Sequence, residues 1–156
     1  MAFLHPIDDR YFEDYIEGDV HSFGSIAVEA DEIVSFARRF DPQDFHIDPV
    51  AAKRTPFDGL IASGWHTAGL MMRLYVEHYL THVASLASPG LDELRWHKPV
   101  RPGDRLSVRV SVLKAAPSRS KPDRGVVTSF IEVLNQADEI VMTLKAINII
   151  ARRQPQ

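Results

Sequence analysis

The stretch that most constrains this chain runs from about residue 63 to residue 82. It contains no proline, its last glycine is Gly69, and Trp65, Ala68, Leu70, Met71, Met72, Leu74, Tyr75, Val76, Tyr79 and Leu80 cover almost every face of a helix. A helix that is apolar nearly all round belongs inside a protein rather than on its surface. Twenty helical residues span about 30 Å, the width of a small domain. The second half of the chain is different in kind. Ser88-Pro89-Gly90 reads as a break, and four segments rich in Val, Ile, Leu and Thr come after it, at 91–100, 105–113, 126–134 and 140–150. Pro102-Gly103-Asp104, Lys121-Pro122-Asp123-Arg124-Gly125 and Asn135-Gln136-Ala137-Asp138 are the turn signals between them. Short connections imply an antiparallel sheet. One buried helix and one antiparallel sheet make an α+β domain in which five or six strands curl around the helix.

The first half of the chain reads as loop and helix. Residues 1–20 are acidic and aromatic and are expected to form an arm lying on the fold. Residues 23–28 read as a strand, with Phe23, Ser25 and Ala27 on one face and Gly24, Ile26 and Val28 on the other. Asp31 is placed as the N-cap of a helix carrying Ile33, Val34, Phe36, Ala37 and Phe40, which Pro42 ends. Asp48 and Pro49 start another helical turn as N-cap and first residue, and residues 55–59 read as a turn. With 156 residues and no linker or repeat, a single domain over 1–156 is expected.

Composition serves mainly to exclude. A net charge of -3 argues against a general nucleic-acid binder. The absence of cysteine removes disulfides, thiolate metal sites and a cysteine nucleophile together, and fits a cytoplasmic, reducing setting. The first residues have neither a basic start nor an apolar run, so no secretory signal is expected, and no apolar stretch is long enough to span a bilayer. His78 and His82 have the spacing of two helical metal ligands, but no third ligand accompanies them, and no metal is expected.

The chemistry concentrates in Asp41-Pro42-Gln43-Asp44-Phe45-His46 and in the start of the long helix at Ser63-Gly64-Trp65. The first places a carboxylate and an imidazole five residues apart in a segment read as non-helical. The second offers free N–H groups and the positive end of a helix dipole to a developing negative charge. An acid/base pair with an oxyanion donor suits reactions next to a carbonyl. Taken singly, Asp41 also suits a turn cap, and His46 a satisfied polar residue; neither is an obvious core member. Ser63 suits a helix N-cap better than a nucleophile, since no Gly-x-Ser-x-Gly elbow surrounds it. His66 suits either the core or a pocket wall, and Met71 and Met72 read as core filler or as part of an acyl tunnel.

The segment 40–48, followed by Gly59-Leu60-Ile61-Ala62-Ser63-Gly64-Trp65-His66-Thr67, resembles the hydratase signature of the MaoC-like dehydratases, hotdog-fold relatives of (R)-specific enoyl-CoA hydratase. The resemblance continues through Lys98-Pro99-Val100-Arg101-Pro102-Gly103-Asp104, residues 118–125 and Val133-Leu134-Asn135-Gln136, and so covers roughly residues 20–150. It implies a hotdog fold and hydration or dehydration of an enoyl thioester, 2-enoyl-CoA to 3-hydroxyacyl-CoA. It further implies that Asp41 and His46 handle the water and the proton while the Gly64 N–H polarises the thioester carbonyl. Ser63, Trp65 and His66 are then expected at the substrate. The loop with Arg119, Lys121 and Arg124 suits the phosphates of coenzyme A, since guanidinium forks match phosphate oxygens, though it equally suits a solvated hairpin; Arg38, Arg39, Lys53 and Arg54 form a second basic group. No cofactor is implied beyond coenzyme A as part of the substrate. The partners implied are an acyl-CoA or acyl-carrier thioester and further copies of the chain, in a homodimer or higher homo-oligomer with the pocket at the junction of two subunits.

Two departures stand out. The family pattern more often reads Asp-x-Asn-Pro-x-His, whereas proline here is at position 42, and Ser63 stands where relatives often carry histidine. Two other functions remain open. A hotdog thioesterase normally has a carboxylate on or near the central helix, where this chain offers only Glu77, far from the helix start. A non-catalytic acyl-thioester binding subunit would have no need of the Asp41/His46 spacing.

Overall fold

The computed structural model describes residues 2–154. Five strands form one antiparallel sheet: β1 (Val20–Ala27), β2 (Ser85–Trp96), β3 (Arg105–Pro117), β4 (Arg124–Leu134) and β5 (Ile140–Ala151), in the spatial order β1-β3-β4-β5-β2. The helices are α1 (Ala30–Phe40), α2 (Asp44–Ile47), α3 (Pro49–Ala52) and α4 (Gly64–His78). β3, β4 and β5 pair over ten residues or more and alternate buried with half-buried side chains, as strands with one face on a core do. α4 lies against β1 and β3. This is the hotdog arrangement expected from the sequence.

Several boundaries differ from the sequence reading, each for a physical reason. Ser88-Pro89-Gly90 does not break the chain but lies inside β2. That strand is the sheet edge, bonded only to β5, and its register shifts between Ala87 and Gly90. Proline is tolerated there because an edge strand leaves one row of N–H positions unused. β1 begins three residues earlier than expected, and a register shift between Phe23 and Ile26 breaks its simple alternation. Gly24 sits in that shift with φ of +85°, and a Cβ there would come within 2.8–2.9 Å of the Leu74 methyl groups, so glycine permits both the bulge and the close approach of α4. Asp31 lies inside the first turn of α1 rather than capping it; Glu29 is the N-cap, without a side-chain bond.

The long helix is also shorter and less buried than its composition suggests. It ends at His78, with Tyr79 as C-cap. Leu70, Met71, Leu74 and Tyr75 are buried, but Trp65 is 61% exposed, Met72 44% and Val76 39%. With Gly69 and Arg73 these residues form one continuous outward stripe. His82 lies beyond the helix, so His78 and His82 do not share a helical face. His82 instead bonds the Val76 carbonyl and Asp8.

The N-terminal arm fixes the far end of α4. Phe12 and Tyr15 are buried in the core. The Tyr15 hydroxyl donates to the Tyr79 carbonyl at 2.8 Å and accepts from the Thr81 N–H at 2.9 Å. Tyr79 and Tyr75 in turn bond Ser129 of β4 and Asn148 of β5. Burial pushes the Tyr15 hydroxyl up to about 12, so these phenols act as neutral hydrogen-bonding groups. The Arg10 guanidinium is buried and donates to the carbonyls of His78 and Tyr79 at 3.1 and 2.9 Å, closing the C-terminus of α4, with Phe3 stacked on it. Arg10→Ala is expected to cost roughly 3 kcal/mol, on the scale of one or two charge-assisted hydrogen bonds. A urea midpoint unchanged by this substitution would remove Arg10 as the cap.

Candidate active site

The local sequence explains why the site forms where it does. Asp41 is the C-cap of α1, its N–H bonded to Ala37 O at 2.8 Å, and Pro42 turns the chain away. The chain then makes one helical turn, α2, which the sequence reading did not foresee for this segment. That turn brings His46 back beneath Asp41. Asp48 caps α3, accepting from the N–H groups of Val50 and Ala51, with Pro49 at the first helical position as expected. Residues 61 and 62 are then clamped between two segments: Ile61 N–H bonds Phe45 O at 3.1 Å, and Ala62 N–H bonds Val100 O at 2.8 Å. This clamp delivers the start of α4 to the acid/base segment.

Asp41, His46 and Ser63 meet. His46 Nδ1 lies 2.7 Å from the Ile61 carbonyl, which can only accept, so the proton on that side belongs to Nδ1. His46 Nε2 lies 3.3 Å from Asp41 Oδ2. The same carboxylate oxygen accepts the Ser63 hydroxyl at 2.7 Å, while Gln43 Nε2 donates to Asp41 Oδ1 at 2.6 Å. Burial works to raise the Asp41 pKa, but the bonds from Ser63 and Gln43, with His46 alongside, outweigh it and hold the carboxyl below its ordinary value. Asp41 is therefore a carboxylate at neutral pH. His46 is only 4% exposed and so belongs to the core more than its sequence context suggested.

Ser63 is fully buried and is the N-cap of α4, accepting from Trp65 N–H at 3.3 Å while donating to Asp41. Its hydroxyl is thus bonded to both the carboxylate and the helix start. Removing it has a signed consequence. Ser63→Ala takes away a bond that stabilises the ionised carboxylate, so the Asp41 pKa rises. Activity that needs the carboxylate then fails at a higher pH as the solution is acidified. An acid limb of kcat/KM that moves upward in Ser63→Ala, with about 1 kcal/mol lost from the helix cap, is the expected result.

A cavity of about 320 Å³ opens beside this cluster, lined by His46, Phe57, Ile61, Gly64, Trp96 and Lys98 among others. Gly64, as the first residue of α4, lies outside the helix's own hydrogen-bond ladder on its N–H side. His46 and Gly64 share the cavity wall. Asp41 does not line it and reaches His46 from the outer side. Trp96, at the end of β2, was not singled out in the sequence. It is the residue that explains the glycine, because a Cβ at Gly64 would stand 2.7 Å from indole atoms Cδ2 and Cζ2 of Trp96 and closer still to Cε2.

The remaining residues proposed from sequence are dispersed. Trp65 stands edge-on to Trp96, with centroids 5.3 Å apart, and faces outward. His66 points to the other side of α4, where Nε2 lies 2.9 Å from Glu32 and Phe36 stacks on its ring. Arg119, Lys121 and Arg124 sit at the opposite end of the sheet. Trp96 is level with Met142, Val133 and Val108, whereas the loop bearing these residues follows Pro117. Nine residues of strand separate the two levels, about 30 Å along the strand, and none of these three residues lines the cavity of its own chain. Arg124 there pairs with Asp123. Among the described residues no cluster of three metal-ligating side chains forms, and no helix is long and apolar enough to cross a membrane.

With this geometry in place, comparison with known proteins gives the family. Residues 12–135 match the model of the MaoC like domain, and the chain belongs to this family of MaoC-like dehydratases. It is similar to the crystal structure of the MaoC-like dehydratase from Rhodospirillum rubrum, at 42% identity with a TM-score of 0.86, covering 94% of this chain and 99% of that one. Among curated proteins it is 32% identical to YdeM of Bacillus subtilis over 126 residues, 81% of this chain and 88% of that one. It is also 28% identical to a 3-hydroxybutyryl-CoA dehydratase of Methylorubrum extorquens over 149 residues, 92% of this chain and 86% of that one.

Proposed function

We propose that the protein adds water across the double bond of a trans-2-enoyl thioester to give the 3-hydroxyacyl thioester, and catalyses the reverse dehydration. The observation that carries this reading is the Asp41–His46 pair, braced by Ser63, beside the cavity that His46 shares with the first residue of a buried helix. Because Nδ1 faces the Ile61 carbonyl, Nε2 is the nitrogen that faces Asp41. On this reading the pair works as an imidazolium beside a carboxylate, with a proton between Nε2 and Asp41 Oδ2.

The chemistry balances with these groups alone. A water beside His46 gives one proton to the Asp41–His46 pair as its oxygen bonds to C3. Electrons from the C2–C3 double bond pass to the thioester oxygen, forming an enolate. The Gly64 N–H and the helix dipole stabilise that oxygen. As the enolate collapses, C2 takes the proton of His46 Nε2. Transfer of the proton from Asp41 to His46 restores the starting state, with one water consumed and no cofactor required. Incubation with crotonyl-CoA tests the proposal. Loss of the conjugated enoyl absorbance is the expected result; release of free thiol identifies a thioesterase instead, and no change in either signal a binding subunit. The thioesterase reading is weakened by Glu77, which is exposed, paired with Arg73 and a full helix length from Gly64.

The working unit is a homodimer on this reading. β2 is exposed along almost its whole length, with Leu86, Leu91 and Trp96 outward, and continues into the stripe of Trp65, Met72 and Val76 on α4. An unpaired apolar edge of this kind invites a further strand, and a second copy of β2 related by a two-fold axis supplies one. Antiparallel pairing about the middle of β2 brings the Trp96 end of one copy to the Ser85 end of the other. Ser85 is level with Ile150 and Gly125, next to the loop that carries Arg119 and Lys121. Coenzyme A phosphates are then bound by the neighbouring copy's loop.

A further inference from the structure

The hydration chemistry uses Gly64 but leaves unexplained what holds it. A glycine at the first position of a helix has wide φ/ψ freedom, and the direction of its N–H is only as fixed as those angles. Oxyanion donors work when they are organised before the reaction starts. In this chain the restraint comes from Trp96. Its indole Nε1–H donates to the Gly64 carbonyl at 3.0 Å. Its ring covers the α-carbon of Gly64 so closely that no side chain fits between them. The ring is itself held edge-on by Trp65, at an interplanar angle of 80°. Behind it the chain is anchored by the His97 N–H bond to Val141 O at 2.8 Å. The same indole forms part of the cavity wall with His46 and Thr67. One side chain thus ties the glycine's carbonyl, blocks one face of its α-carbon and borders the space a ligand would occupy.

We propose that Trp96 is a positioning residue: it sets the direction of the Gly64 N–H and provides the wall against which the thioester group lies. The inference rests on the hydratase reading for its kinetic consequence, but the contact with an acyl thioester is testable without turnover. Removing only the donor separates orientation from packing. Trp96→Phe keeps an aromatic ring on Gly64 and loses the bond to its carbonyl. The expected result is a kcat on crotonyl-CoA lower by ~10–100-fold, the scale for a misplaced reacting group, with KM changed by less than about threefold, since ground-state contact with the wall is largely kept. A purely structural role would lower the melting temperature and leave kcat per folded molecule unchanged.

A second measurement applies even if that variant folds poorly. The chain has two tryptophans, so Trp65→Phe leaves Trp96 as the sole emitter. Titration with butanoyl-CoA, which is saturated and cannot be hydrated, is expected to change its emission saturably. Trp96→Phe with the wild-type kcat, or sole-Trp96 emission indifferent to butanoyl-CoA, overturns the proposal. The two readings fail differently. Wild-type protein inert towards crotonyl-CoA, with Trp65→Phe emission that nevertheless titrates with butanoyl-CoA, defeats the hydratase reading and supports the wall contact. Active protein with an indifferent Trp96 does the reverse.

Discussion

Replacing His46 by Asn is expected to lower kcat on crotonyl-CoA by ~10²–10⁴, the range for losing a positioned acid or base, while the protein remains folded. Asparagine is the informative choice because His46 is buried and its Nδ1 bonds the Ile61 carbonyl. An amide nitrogen at the Nδ1 position can keep that bond while nothing remains at the Nε2 position to exchange a proton with Asp41. His46→Ala would instead strand a carbonyl and open a hole, adding roughly 1–3 kcal/mol of destabilisation to the chemical defect. Asp41→Asn is expected to give a loss of the same order. It leaves an oxygen for the Ser63 hydroxyl but removes the charge that takes the proton from water. Both variants should unfold within a few degrees of the wild type. Should either retain near-normal turnover, the proposed proton relay between Asp41 and His46 is wrong.

The parts of this site that were legible in the sequence are those set by local chain chemistry. Pro42 had to end α1 and leave Asp41 at its tip, Asp48 and Pro49 had to start a helical turn, and Ser63 had to cap the helix that Gly64 opens; the structure shows each of these. The apolar pattern of α4, and the Val-, Ile-, Leu- and Thr-rich segments of β3, β4 and β5 with turn signals between them, made the layer order legible for the same reason. What escaped was set by pairing across the chain. Trp96 looked like one more strand residue, since nothing near it in sequence says that its ring lies on a glycine thirty-two positions earlier. The basic loop at 118–124 looked suited to phosphate, yet strand length puts it at the wrong end of its own sheet. Trp65 and Val76 were read as core because an all-round apolar helix belongs in an interior. Within one chain they face outward, and the sequence signal holds for them only if another surface covers them.

That covering surface supplies the second large effect. Leu91 lies near the middle of β2 and is 51% exposed, paired through its backbone to Ala146 of β5. In a two-fold pairing of β2 edges it stands close to its own counterpart. Leu91→Glu therefore sets two carboxylates near each other in the seam, where like-charge repulsion and desolvation oppose both. The expected result is a change from dimer to monomer in sedimentation at micromolar concentration, with the melting transition lowered because the exposed stripe on α4 loses its cover. Turnover of crotonyl-CoA should fall with it, since each cavity loses the neighbouring loop proposed to bind the phosphates of coenzyme A. Arg119→Ala in the intact dimer isolates that last contribution: a KM several-fold higher with kcat nearly unchanged marks lost ground-state binding, and a weaker dependence of KM on salt marks it as electrostatic. The loop lies about 30 Å along the strands from the cavity of its own chain, so an Arg119 effect on KM that vanishes in the Leu91→Glu monomer assigns the loop to the neighbouring copy's ligand. A Leu91→Glu monomer that hydrates crotonyl-CoA as fast as the wild type would defeat both the shared cavity and the role given to Arg119.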